Sequence, residues 1–143
     1  MDIDIIDQED IDQYHYLLHE YNTLKPRLVR MLKRHPGLVE VPEWTNVPGE
    51  IRHTVLMIAA INNDYKMAKW LVESLNANVF AVTSYGQTAL TCAQRNSPEI
   101  YSYLKNHIKK ILIKRRREIY RSLMSIPVHT LTKDIGSYLD TFD

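Results

Sequence analysis

Threonine, leucine and alanine recur at the same offsets in "HTVLMIAA" (53–60) and "QTALTCAQ" (87–94), so that Thr54, Leu56 and Ala59 align with Thr88, Leu90 and Ala93 at a spacing of 34. Further along, Met67, Trp70 and Leu71 align with Ile100, Tyr103 and Leu104 at 33, and the one-residue slip is assigned to "SLNANV", a turn-rich connection that tolerates insertion. Upstream, Leu28, Met31 and Leu32 align with Met67, Trp70 and Leu71 at 39, the excess being absorbed by "VPEWTNVPGE". A fixed period of this length constrains the fold more than any single element. Each unit is too small to bury its apolar face alone, so the units must stack.

The residue types inside the period are similar to those of ankyrin repeats, and that resemblance implies an inner and an outer helix in each unit. A threonine before an apolar run can satisfy backbone groups where the first, inner helix begins. Leu56 and Leu90 then point into the core. Ala59, Ala60 and Ala93 are small because the inner helix must lie close to its own outer helix and to the neighbouring unit, where added bulk would force the stack apart. Leu28, Met31 and Leu32, with their counterparts, recur at i, i+3 and i+4 and mark amphipathic outer helices. Ser97, Pro98 and Glu99 supply a cap, a preset first-turn dihedral and a charge suited to a helix N-terminus.

These residues resemble ankyrin repeats, whose unit of about 33 residues joins a turn to two antiparallel helices and carries a "TPLHxAA" signature. "RHTVLMIAAINNDYKMAKWLVESLNANVFAV" resembles a full repeat, with "NANV" in the place of "GADV". "YGQTALTCAQRNSPEIYSYLKN" resembles a second with a shortened inter-helix turn, and "LKPRLVRMLKRHPGLVEV" the outer helix of an N-terminal cap. Arg52 departs from the turn glycine, Val55 and Ala89 from the proline, and Met57 and Thr91 from the histidine. The resemblance implies an all-α fold, a short ankyrin-type helical solenoid with N- and C-terminal capping helices. The expected boundaries are an acidic leader at 1–9, repeats and N-terminal cap at 10–107, and a basic capping helix with a C-terminal helix at 108–143.

The resemblance also implies a non-enzymatic module that binds another protein through the turn tips and the exposed side of the inner helices. The corresponding positions are Glu50, Ile51, His53, Ile61 and Asn62 in one repeat, and Ser84, Tyr85, Gln87, Arg95 and Asn96 in the next. Ile51, Ile61 and Tyr85 are either anchors for the partner, since interface hot spots favour large side chains, or residues packed against the inserted loop.

Candidates for chemistry are few. With 143 residues the chain can bury one real core. The single Cys92 cannot form an intramolecular disulfide and aligns with Ile58 on the inner helix, which suggests a small buried hydrophobe rather than a catalytic thiol. His15 and His19 in "HYLLHE" have the spacing of two zinc ligands, but a zinc site needs three or four, and two polar residues on a capping helix is the simpler reading. The acidic opening "MDIDIIDQED" lacks a DxDxDG calcium loop and the pattern of a signal peptide. Glycine-rich phosphate loops, GxSxG and HExxH are absent. No cofactor, metal or transmembrane segment is expected, and the chain is expected to be monomeric and cytoplasmic. Fourteen isoleucines, nine tyrosines and eight asparagines against four glycines suggest an AT-rich genome. With the resemblance, this suggests a bacterial effector or viral factor acting inside a host cell after delivery by a pathogen.

The C-terminal third is basic: residues 105–121 carry eight Lys or Arg against Glu118 alone. "NHIKKILIKRRREIYRSLM" reads as a helix covering the flank of the last repeat. Lys109, Lys110, Lys114, Arg116 and Arg117 either supply the polar outer face that a terminal repeat needs or form an anion-binding surface for nucleic acid or anionic membrane. Finally, "IPVHTLTKDIGSYLDTFD" is loosely similar to the opening of an F-box, which would make the chain a ubiquitin-ligase adaptor. His129 stands where that family has glutamate, and the chain ends after about one helix. The alternative is a capping helix built on Leu131, Ile135, Tyr138 and Leu139.

Overall fold

The structure, a computed structural model, describes residues 5–125; the F-box-like stretch lies outside the described residues. Among these the chain is all helical: α1 (Gln8–His19), α2 (Tyr21–Arg34), a short 3-10 helix (Pro36–Glu40), α3 (Val55–Ile61), α4 (Tyr65–Ser74), α5 (Ala89–Asn96) and α6 (Pro98–Met124). Two compact units divide after Leu104. In the first, α1 packs on α2, α3 on both α4 and α5, and the 3-10 helix on α2 and α3. This is a short solenoid of helix pairs.

The recurring outer-helix positions appear in the core. Leu28 and Leu32 on α2, Met67 and Leu71 on α4, and Ile100 and Leu104 on α6 are all buried, while Met31, Trp70 and Tyr103 between them are only partly so. Each outer helix therefore turns the same i, i+4 edge inward. Ala59, Ala60 and Ala93 are fully buried, so α3 and α5 approach closely over small side chains. Leu56 is buried, but Leu90 is only half-buried. Its helix, α5, is the last inner helix of the described stack.

The one-residue slip is not in "SLNANV". Asn62 and Asn96, 34 apart, each donate from Nδ2 to the carbonyl four residues back, of Ile58 at 2.8 Å and of Cys92 at 2.9 Å. Asp64 and Ser97, 33 apart, each cap an outer helix by accepting a backbone N–H, from Met67 at 3.3 Å and Ile100 at 3.3 Å. The extra residue is therefore Asn63, in the turn between α3 and α4, where it adopts a left-handed φ of 55° that asparagine tolerates better than most residues. "SLNANV" instead terminates a helix: Asn76, at φ 52°, ends α4 where the ankyrin pattern has glycine.

Helix starts follow the sequence unevenly. Thr88 forms a reciprocal capping box with Thr91: its hydroxyl accepts the Thr91 N–H at 3.2 Å, and its own N–H donates to Thr91 Oγ1 at 2.8 Å. Thr54 occupies the equivalent position, but its side chain makes no capping bond. Met57, three residues on, has no group to reciprocate. At the N-terminus, Asp7 and Asp10 form a capping box that starts α1 at Gln8, so the end of the acidic stretch belongs to the helix.

The same turns also join neighbouring helix pairs within the first unit. Asp64 Oδ2 accepts from Tyr21 Oη at 2.7 Å and Lys25 Nζ at 2.9 Å, both on α2, and Ser97 Oγ donates to Asn63 Oδ1 at 2.6 Å. Burial opposes ionisation of Asp64, but the bonds from Lys25, Tyr21 and the Met67 N–H outweigh it and hold the carboxyl below its ordinary range.

The second unit is described over residues 105–125, and α6 runs into it without a break. Lys110, Lys114, Arg117 and Arg121 are exposed at i, i+4, i+7 and i+11, forming one basic stripe along the helix. Lys109 is exposed outside the stripe, and Arg116 is half-buried about a quarter-turn or more away from it.

Candidate functional site

The turn tips before α3 and α5 are bonded to each other. Ile51 N–H donates to Ser84 Oγ at 2.6 Å, Ser84 N–H donates to the Ile51 carbonyl at 2.9 Å, and Tyr85 Oη donates to Glu50 at 3.2 Å. Gly86 makes the tight turn at φ 77°, its N–H reaching the Thr83 carbonyl at 3.0 Å. Arg52 holds the equivalent place in the preceding repeat without a positive φ, and the left-handed residue there is instead Gly49 in the inserted segment.

Between these tips and the inner helices lies an open groove of about 370 Å³. His53, Ile61, Tyr85, Gln87, Arg95 and Asn96 line it, as do Gly86, Thr91 and Cys92. Six of the ten positions expected from the sequence thus share one concavity. The other four border it: Glu50, Ile51 and Ser84 in the paired tips, and Asn62 beyond the end of α3, bonded to Asn22 Nδ2 at 3.2 Å. Ile51, Ile61 and Tyr85 all remain exposed, Tyr85 by 77%. Thr91 lines the groove at the position where the family signature has histidine, and Cys92 is buried, as its alignment with Ile58 suggested. Burial pushes the Cys92 thiol up, away from the reactive thiolate.

His53 organises the electrostatics of this groove. Its Nδ1 lies 3.1 Å from Glu43 Oε2 and its Nε2 3.1 Å from Gln87 Oε1, which also accepts from Thr83 Oγ1 at 3.3 Å. Both ring nitrogens face acceptors, an arrangement satisfied by the imidazolium. The bond to Glu43 raises the His53 pKa against the opposing effect of burial, and the bond to His53 lowers that of Glu43. Arg95 is exposed, and among the described residues no carboxylate lines the groove. The lining therefore carries the exposed Arg95 beside apolar surface, with His53 paired to Glu43.

A second groove, of about 430 Å³, opens where the inserted segment meets α1, lined by Asp12, His15, Tyr16, His19, Glu43 and Trp44. Among the described residues no three His, Cys, Asp or Glu side chains gather in a metal-binding cluster. His15 Nε2 instead donates to the Pro42 carbonyl at 3.2 Å.

A family model for ankyrin repeats in three copies matches residues 16–115. The chain belongs to the ankyrin-repeat family. No curated protein and no solved structure matches it. The match begins inside the expected 10–107 and ends at 115, and α1 and α2 pack as a helix pair where the sequence reading gave an outer helix alone. Ankyrin repeats are generally protein-protein interaction modules. Among the described residues no helix is long and apolar enough to cross a membrane.

Proposed function

We propose that this ankyrin-repeat protein is a non-enzymatic binding module whose partner protein seats on the groove between the turn tips and the inner helices. The observation that carries this reading is the exposure of Tyr85, Ile51 and Ile61 around a groove whose walls are held by bonds between repeats. A rigid wall reduces the ordering cost of association, and large side chains at its centre suit an anchor. With the exposed Arg95 and, among the described residues, no lining carboxylate, the groove favours an acidic partner segment carrying an apolar residue. The partner is a protein met in the cytoplasm, and delivery into a host cell by a pathogen is favoured by the ankyrin family together with the AT-rich composition.

The test is capture from a host-cell lysate by the 143-residue chain and by its double variant Ile51→Ala, Tyr85→Ala. Partners enriched by the wild type are expected to be lost with the variant while far-ultraviolet circular dichroism stays unchanged. An unchanged partner set, or loss of helicity, overturns this placement.

A second reading concerns the basic stripe of α6. Lys110, Lys114 and Arg117, joined by Arg121, line one exposed edge, and such a stripe suits an anionic surface such as nucleic acid or an acidic membrane.

A further inference from the structure

We infer that the groove between α1 and the inserted segment receives an arginine side chain from a protein partner, its guanidinium stacked against Trp44 and Tyr16 and paired with Asp12. The site is separate from the groove beneath Tyr85 and does not rest on the reading given for it.

The aromatic residues carry the inference. Trp44 is 65% exposed and Tyr16 55% exposed, and both line a concavity instead of standing singly on a convex surface. Trp44 is not left outside by a loose loop. On one side of it, His15 Nε2 holds the Pro42 carbonyl and Glu43 N–H donates to the His53 carbonyl at 2.8 Å; on the other, Thr45 Oγ1 donates to Glu50 at 2.8 Å. The segment is pinned on both flanks while the indole faces water. Keeping this much apolar area exposed is unfavourable until something covers it.

The charges specify what covers it. Among the described residues no lysine or arginine lines the groove. Glu43 already faces His53 and Arg52, the latter at 3.6 Å. Asp12, one helical turn before Tyr16, accepts from the neutral Gln8 amide at 2.9 Å and has no basic partner among the described residues. An acidic or phosphate-bearing ligand would be repelled by Asp12, and a purely apolar side chain would strip water from that carboxylate without replacing its hydrogen bonds. A guanidinium satisfies both surfaces: its plane stacks on aromatic faces, and its N–H groups pair with a carboxylate.

The test uses N-acetyl-arginine amide as the probe and its neutral isostere N-acetyl-citrulline amide as control, titrated into the full-length protein and followed by proton–nitrogen correlation spectra. The Trp44 indole N–H and the Asp12 and Tyr16 amides are expected to shift saturably with the arginine probe, while the Trp70 indole, half-buried on α4, stays still. Binding should weaken about tenfold for the citrulline probe and for Asp12→Asn, and be lost in Trp44→Ala. Asp12→Asn is nearly isosteric and exposed, so it keeps the test valid should Trp44→Ala disturb the segment. Equal shifts from both probes, an unmoved Trp44 signal in the wild type, or unchanged binding in Asp12→Asn overturns the proposal.

Discussion

His53 and Gln87, 34 positions apart, hold the same place in consecutive ankyrin repeats, and His53 Nε2 meets Gln87 Oε1 at 3.1 Å. The opposite ring nitrogen meets Glu43 at 3.1 Å. One side chain thus ties the inserted segment to the next repeat, and it does so best when charged.

Stability should therefore depend on pH through this pair. The raised His53 pKa contributes stability that is full below the ordinary histidine value of 6.5 and lost as pH rises through the folded-state value. The lowered Glu43 pKa contributes stability that is full above the ordinary glutamate value of 4.5 and lost as pH falls through its folded-state value. The contribution is greatest between those two ordinary values. Because both groups are partly exposed, it is at most about 1 kcal/mol. Urea denaturation of wild type and His53→Gln at pH 5.5 and 8.5 should show a smaller difference between the two proteins at the higher pH. A constant difference would mean that the ion pair contributes nothing.

The close contact between inner helices gives a sharper expectation. Ala59 and Ala93 are fully buried where α3 packs against α4 and α5. Ala59→Leu or Ala93→Leu adds three heavy atoms to a site without space for them and should destabilise by about 1–3 kcal/mol. Thermal melts of both variants at the wild-type temperature would contradict the packing described.

The two threonines of the repeated pattern should behave differently. Thr88→Val removes the hydroxyl that accepts the Thr91 N–H in the capping box and should cost about 1 kcal/mol. Thr54→Val removes no capping bond, keeps the shape of a buried side chain, and should cost about half as much or less. Chemical denaturation of the two variants side by side decides it; equal losses would mean that the Thr54 hydroxyl caps α3 in solution.

That difference marks how far the sequence could be read. Spacing exposes what every repeat needs, so the paired edges Leu28 and Leu32, Met67 and Leu71, and Ile100 and Leu104 were legible, as were the small residues of α3 and α5. A cap, however, depends on a second residue: Thr91 reciprocates for Thr88 and Met57 cannot do so for Thr54. The slip could have been placed from the sequence. It must lie between Ala59 and Met67, because the spacing changes from 34 to 33 across that interval. The groove of Trp44, Tyr16 and Asp12 left no such trace. Its residues meet because the inserted segment returns to α1 through the contact of His15 with Pro42, and an insertion outside the period has no counterpart to align.

For the basic helix, the protein-only reading and the anionic-surface reading make opposite claims about one variant. Arg117 is exposed on the stripe of Lys110, Lys114 and Arg121, and Arg116 is half-buried beside it. Replacing Lys114 and Arg117, both exposed on the stripe, with glutamine should change stability by less than about 0.5 kcal/mol, as is usual for surface sites. The protein-only reading expects no salt-steep association with a DNA duplex or with acidic vesicles, in the wild type or the variant. If the stripe binds phosphates, wild-type affinity should fall steeply with salt, and the variant should lose about one unit of that slope for each phosphate contact removed. We expect flat titrations. Steep binding by the wild type that flattens in the glutamine variant would move α6 from a solvated face to a functional one.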